Sequence, residues 1–290
     1  MIKRVPAWGL VVTGCVSIQF GAALAATIFD DLGPSGVSLL RLGFAAVVLL
    51  AIWRPDPRAH PAADLRLAGL FGLTLGTMNL LFYEALDRIP LGVAVTIEFA
   101  GPLAVGVLGS RKRSDLVWAA LAAVGIVLLA GASGSGTGGG ALDRTGVAFA
   151  LGAAACWGLY IVIAQRAGRV FESGSGLALA SVVAALVPVG PGLAEGGSDL
   201  LRPEILLVGL AVALASSVIP YSLEFEALRR LRANVFGVLM SLEPALAALA
   251  GFIVLGQALS ARDLVAMALV VTASVGVARG STGPPPIDAA

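Results

Sequence analysis

The 290-residue chain has one histidine, two cysteines, three tyrosines and few charges: Asp, Glu, Lys and Arg together make up 13% of it. Each shortage excludes something. A soluble domain of this length carries about a quarter charged residues, because its surface faces water. Cys15 and Cys156 are far apart, lie in apolar segments and have no histidine near them, so they read as small core residues. His60, in the Pro-rich loop Pro55–Pro61, stands alone. No His- or Cys-ligated metal site follows from this inventory, and no cofactor is expected. The net charge of +1 argues neither for nor against nucleic acid, but the chain has no basic face with interleaved aromatics, and no nucleic-acid partner is expected. No nucleophile–base pair or phosphate loop marks an enzyme.

What the chain does have is apolar length. It is 58% hydrophobic, with mean hydropathy +0.94. Charge is absent from Val5 to Phe29, Leu67 to Tyr83, Leu116 to Leu142, Ser173 to Ala194 and Ile205 to Leu223. About 20 apolar residues cross a bilayer as a helix, so the lipid bilayer is the partner these runs demand. The N-terminal run is longer than the core of a cleaved signal peptide and is expected to stay as helix 1.

Apolar runs between charged or Pro/Gly punctuation predict ten helices, at 7–29, 35–53, 66–86, 89–109, 115–132, 145–165, 174–193, 204–224, 234–255 and 263–279. Gly69, Gly72 and Gly76 mark one side of helix 3 as a close helix contact. With the N-terminus inside, the segments on its side hold fourteen Lys and Arg residues, Lys3, Arg4, Arg54, Arg58, Arg66, Arg111, Lys112, Arg113, Arg166, Arg169, Arg229, Arg230, Arg232 and Arg279. The other side holds four, Arg88, Arg144, Arg202 and Arg262. The bias predicts that both termini are cytoplasmic.

The stretch Gly131 to Gly140 (GASGSGTGGG) divides the chain. A first five-helix repeat is expected over 1–132, a Gly-rich linker over 133–144, a second five-helix repeat over 145–279 and a cytoplasmic tail over 280–290. The halves share a pattern. Glu84-Ala85-Leu86, Arg88 and Gly92–Glu98 (GVAVTIE) match Glu226-Ala227-Leu228, Arg230 and Gly237–Glu243 (GVLMSLE), and Gln19-Phe20-Gly21 weakly matches Cys156-Trp157-Gly158. Five helices per repeat place the halves upside down relative to each other, a transporter signature. The expected fold class is therefore an all-α membrane protein of ten helices, as two inverted repeats around a central cavity.

Ionisable groups in a bilayer cost at least a few kcal/mol, so each needs a reason. Glu98 lies nine residues into helix 4, roughly 14 Å deep. Glu243 lies about as deep from the opposite face. The pair can bind a substrate ammonium, carry a coupling proton, or brace neighbouring helices by hydrogen bonds. Pro102 has no N–H for the carbonyl of Glu98, and Pro244 none for that of Met240, so both count as helix breaks. Phe99 beside Glu98 points to Glu98 as the proton carrier, because apolar burial favours a neutral carboxylic acid. Arg41 is expected near the outer end of helix 2, snorkelling or pairing with a carboxylate. Gln19, Asn79, Tyr83, Trp157, Tyr160 and Tyr221 are the other polar or aromatic mid-span residues; each can line a wet cavity or simply pack. Glu84, Glu224 and Glu226 fall near helix ends and are expected to be solvated or to snorkel rather than to bind substrate.

The segments Asn79–Tyr83 (NLLFY), Pro90–Ala104 (PLGVAVTIEFAGPLA), Leu151–Gly168 (LGAAACWGLYIVIAQRAG), Pro220–Glu224 (PYSLE) and Phe236–Ala248 (FGVLMSLEPALAA) resemble the drug/metabolite transporter superfamily, in its EamA-type ten-helix branch. The resemblance implies a cavity lined mainly by helices 1, 3, 4, 6, 8 and 9. It also implies efflux of small neutral amino acids such as threonine or homoserine from a bacterial cytoplasm across the inner membrane, with protons as coupling ion. The positions it touches are Asn79, Tyr83, Glu98, Trp157, Tyr160, Tyr221 and Glu243. Gln257 departs from the pattern, since many members have Glu after the Gly that closes helix 9. Export of another metabolite or drug, or lipid flipping, stays open as an alternative.

Overall fold

In a computed structural model of the protein, residues 6–108, 114–130, 142–171, 174–231, 236 and 239–280 are described. The stretch 131–140, with most of the expected linker, the residues beyond 280, Arg111–Arg113 and the Gly237-Val238 pair of the second sequence copy lie outside them.

Every extended regular element among the described residues is helical. They are α1 (Ala7–Ala26), α2 (Phe29–Trp53), α3 (Ala62–Leu86), α4 (Leu91–Glu98), α5 (Ala100–Leu108), α6 (Ser114–Ala130), α7 (Arg144–Val170), α8 (Ser175–Leu186), α9 (Val189–Gly196), α10 (Pro203–Ala213), α11 (Ile219–Arg230), α12 (Glu243–Leu255) and α13 (Ala261–Gly280). Helices dominate because only they satisfy every backbone N–H and C=O internally when water is absent. Among them, α1, α2, α3, α7 and the continuous stretch Pro203–Glu224 are each long and apolar enough to cross a membrane. A further pair, Ser175–Leu186 with Val189–Leu201, bends by 51°, and shorter apolar helices run over Leu91–Val105, Leu116–Leu128 and Glu243–Leu255.

Local chemistry sets the boundaries. At the head of α2, Gly33 takes φ 69° and ψ 160° directly before Pro34, so the regular part of the helix starts where the apolar pattern predicted, near residue 35. Asp143 caps α7 by accepting from the backbone N–H groups of Thr145 (2.7 Å) and Gly146 (3.4 Å). The Thr145 N–H holds this exposed carboxyl below the usual carboxylate range.

Packing is by small residues. On α3, Gly72 lies against the backbone of Ala180 and Gly76 against that of Ala184, both on α8. Gly69 faces open space instead, so only two of the three glycines on that side of helix 3 serve the contact. Large apolar side chains stay on the outside: Val47, Leu116, Val127, Leu207, Phe252 and Val265 are all more than half exposed. In water such a surface would aggregate, whereas in lipid it is the solvent-facing side.

Candidate functional site

The fourth predicted helix is broken at its acid. α4 ends on Glu98, Phe99 interrupts the regular helix and α5 starts at Ala100. The chain still holds together there, since Phe99 N–H donates to Val95 O at 3.0 Å and Leu103 N–H to Phe99 O at 3.3 Å. Pro102 supplies no donor to the Glu98 carbonyl. The second acid sits differently. Glu243 is the first residue of α12, with Pro244 in the opening turn. A proline there costs nothing, because the first N–H groups of a helix have no intrahelical acceptor. Leu239 and Met240 are helical and a turn follows at 241–242, so the chain breaks ahead of Pro244, which lies in the opening turn of the next helix. Glu98 ends its helix and Glu243 begins one.

Both acids are buried, at 8% and 3% exposure, and they face one another within electrostatic range. Around them the fold gathers side chains from five further helices. Asn79 and Tyr83 come from α3, Cys156 and Tyr160 from α7, Tyr221 and Glu224 from α11, Cys15 from α1 and Arg41 from α2. Asn79 donates to Leu75 O at 2.8 Å and sits beside the Tyr221 hydroxyl. The Cys15 thiol points to Met240 Sδ at 3.8 Å and lies close to Glu243 and Glu224. Trp157 packs edge-on to Phe99, ring centroids 5.4 Å apart, and Tyr160 stacks on Phe71 at 5.2 Å. Trp157 thus packs on the interruption next to Glu98. Gln19 is buried on α1.

Two members of the cluster differ from their sequence reading. Arg41 does not snorkel: it lies at the centre of α2, only 3% exposed, and donates to Ser216 O at 2.8 Å and Ser217 Oγ at 3.1 Å. Glu224 was placed near a helix end, but α11 runs on to Arg230, so the acid is interior and close to Glu243 and Tyr160. Its Oε1 is fully buried without a hydrogen-bond partner among the described residues. The signal that could have found both was a charge inside a charge-poor run.

Glu84 is likewise engaged rather than solvated. It accepts from Ser35 Oγ at 2.9 Å and pairs with Arg88 at 2.8 Å, while Glu195 takes the Ser35 N–H at 2.9 Å. Gln257 has a structural task. Its Oε1 accepts the Leu91 N–H at 2.9 Å, at the start of α4, where Pro90 offers no side-chain cap. An amide oxygen suffices for this role. Gln257→Leu should lower the thermal stability of the purified protein by about 1 kcal/mol, whereas Gln257→Glu keeps an acceptor and should unfold near the native temperature. Equal unfolding temperatures for Gln257→Leu and the native protein would remove this capping role. A hollow of about 540 Å³ between Trp53, Arg54, His60 and Ser175 includes none of these acids.

A charged cluster buried in a bundle of apolar helices describes a membrane transporter, and the comparisons agree. Residues 144–279 match the EamA-like transporter family. The chain belongs to that family, which is one of transporters rather than enzymes. It is 42% identical over 281 residues, 95% of this chain and 93% of the relative, to the threonine/homoserine exporter RhtA of Escherichia coli strain K12. To the threonine/homoserine exporter RhtA of Salmonella typhimurium strain LT2 it is 43% identical over 280 residues, covering 94% and 92%. A protein of known crystal structure, 20% identical, superimposes with a TM-score of 0.60 over 93% of this chain and 98% of its own; that likeness concerns the fold alone.

Proposed function

We propose that the protein exports small neutral amino acids, threonine and homoserine among them, from the cytoplasm across a bacterial inner membrane, in exchange for protons moving inward. The observation that carries this is the buried cluster of Glu98, Glu224 and Glu243 with Arg41. Carboxylates suit an ammonium group, and the relatives at 42–43% identity bear the exporter name. The cluster holds three acids and one guanidinium, and of the acids Glu98 is the one within electrostatic range of Arg41. Surplus negative charge in an apolar interior costs several kcal/mol, and either a proton or a substrate cation removes it. That shared requirement is what lets the two exchange.

Ten crossings in two inverted repeats frame the site in this reading. The five long helices, the bent pair, the three shorter apolar helices and α13 supply them. The packing supports the symmetry. α3 packs on α7 as α10–α11 pack on α1; α4–α5 pack on α7 as α12 packs on α1; α3 packs on α8 as α10 packs on α2. Three further contacts join like to like across the halves: α6 with α13, α4 with α12 and α2 with α8–α9. The linker 133–144 divides the repeats, and the tail 280–290 and the N-terminus are cytoplasmic. Asp31 and Arg202, 3.7 Å apart, would share the outer face, so a lone cysteine at Asp199 should react with an impermeant thiol reagent on intact cells and one at Ala59 should not.

The test of export is direct. Overexpression should raise the threonine or homoserine concentration that cells tolerate and increase extracellular accumulation after dipeptide loading. Tolerance and accumulation at empty-vector levels would end the substrate assignment. Scrambling of labelled lipid by the purified protein would favour the flippase alternative.

A further inference from the structure

Arg41 poses a charge problem that the cluster itself does not solve. The guanidinium is 97% shielded, in the middle of a membrane-length helix, and among the described residues no carboxylate lies within ion-pair distance of it. A buried cation without a counter-ion is costly, and the fold spends several contacts on holding it in place. Between α10 and α11, residues Leu214–Val218 form a π-helical turn. Pro220 follows, with no N–H to offer Ser216 four residues back or Ala215 five back. Both carbonyls accept from neighbouring helices: Ser216 O from Arg41 at 2.8 Å and Ala215 O from Ser17 Oγ at 2.7 Å. Ser217 Oγ accepts from Arg41 Nε at 3.1 Å. The Tyr83 ring supports the guanidinium from another side, 5.3 Å from its centre. π-turns of this kind recur at functional sites, where they aim backbone groups that a regular helix would consume. All of these partners fix the position of Arg41, and none neutralises it.

We propose that Arg41 is the anchor for the substrate's carboxylate, and that with Glu98 facing it across the cluster it selects zwitterions: the carboxylate on the guanidinium, the ammonium towards the acid. Glu98 lies within electrostatic range of Arg41 without touching it, so a cation and an anion are held apart, as the two ends of an α-amino acid require. A planar guanidinium takes a carboxylate through two parallel N–H donors, and a site built to do so leaves buried donors unpaired when the ligand lacks that group. Asn79 gives one Nδ2 donor to Leu75 O and lies beside the Tyr221 hydroxyl, so the carboxylate role passes to the guanidinium. This assignment rests on the amino-acid export reading above and adds the chemistry by which it recognises its substrate.

The experiment is counterflow of labelled threonine and homoserine in liposomes containing the full-length protein, with threonine, threoninamide and threonine methyl ester as competitors. The amide and ester should compete at least about tenfold more weakly than threonine. Arg41→Met should lose exchange, Arg41→Lys should retain it with raised KM, and Ser217→Ala, which loosens the anchor but keeps the charge, should raise KM several-fold with little change in kcat. Competition by threoninamide equal to that by threonine, or a native KM in Ser217→Ala together with Arg41→Lys, overturns the proposal even if Arg41→Met fails to fold. If neither threonine nor homoserine exchanges, the substrate reading falls. Thermal stabilisation of the same protein by acid and amide pairs of other amino acids then decides the anchor. Stabilisation by the acids alone, lost in Arg41→Met and reduced in Arg41→Lys, upholds it. Stabilisation by both members of a pair, or by neither, removes it.

Discussion

Replacing Glu98 by glutamine should abolish uphill efflux driven by a pH gradient, while downhill substrate exchange persists with a raised KM. Glutamine preserves the size of the side chain and its capacity to hydrogen-bond, but it cannot carry a proton. The geometry separates Glu98 from its pseudo-symmetric partner. Glu98 sits at a one-residue interruption inside the apolar helix Leu91–Val105, with α5 following directly, whereas Glu243 is the first residue of α12, where backbone N–H groups favour an anion. Only Glu243 has that support, so the proton carrier belongs at Glu98. In liposomes with an acidic outer face, the native protein should concentrate substrate against its gradient, while Glu98→Gln should only equilibrate it. Glu243→Gln should keep the response to the gradient and weaken substrate affinity. Gradient-driven efflux at the native rate in Glu98→Gln would dismiss Glu98 as the coupling group.

The second large effect is on assembly. Gly72→Ala adds one carbon, yet that carbon would overlap Ala180 O and come 2.7 Å from Val183 Cβ. The obstacle is backbone, so no side-chain rotation relieves it, and α3 must move off α8. Displacements of this kind cost roughly 1–3 kcal/mol or more. Thermal unfolding of the purified protein should show a clear loss of stability, and Gly72→Leu should leave little folded protein. Gly69→Ala is the internal comparison: nothing lies within 4 Å of its added carbon, so the gain in helix propensity alone applies and stability should hold or rise slightly. Equal stability of Gly72→Ala and the native protein would contradict the packing described for α3 and α8.

The sequence was most legible where one physical effect dominated. The apolar run over 66–86 became α3 at Ala62–Leu86, and that over 145–165 became α7 at Arg144–Val170, because hydrophobic length sets a helix in lipid almost unaided. It was less legible where two effects competed. The run over 89–109 carried its break in Pro102, which leaves the Glu98 carbonyl without a donor, but the run over 174–193 read as one helix although the chain bends by 51° at Pro188. A proline marks where a helix can yield, whereas the neighbours it then packs on, α2 against α8 and α9 among them, are not written in the run. Glu224 was misjudged by the same limit, since helix ends are the weakest part of a periodicity argument and α11 continued past the predicted stop.

By itself the sequence determined a membrane-embedded, all-helical chain, the family, and a short set of polar residues that lipid could not tolerate without purpose. Composition suffices for this, because the cost of exposing charge or unpaired backbone to hydrocarbon is large and local. Only the tertiary structure decided which of those residues meet. It brought Glu224 and Arg41 into the cluster, gave Gln257 its place at the head of α4, and set Glu98 and Glu243 at opposite ends of their helices. These outcomes depend on groups that are far apart along the chain, Arg41 with Ser216 and Leu91 with Gln257 among them, and such contacts arise from packing, which no local pattern encodes.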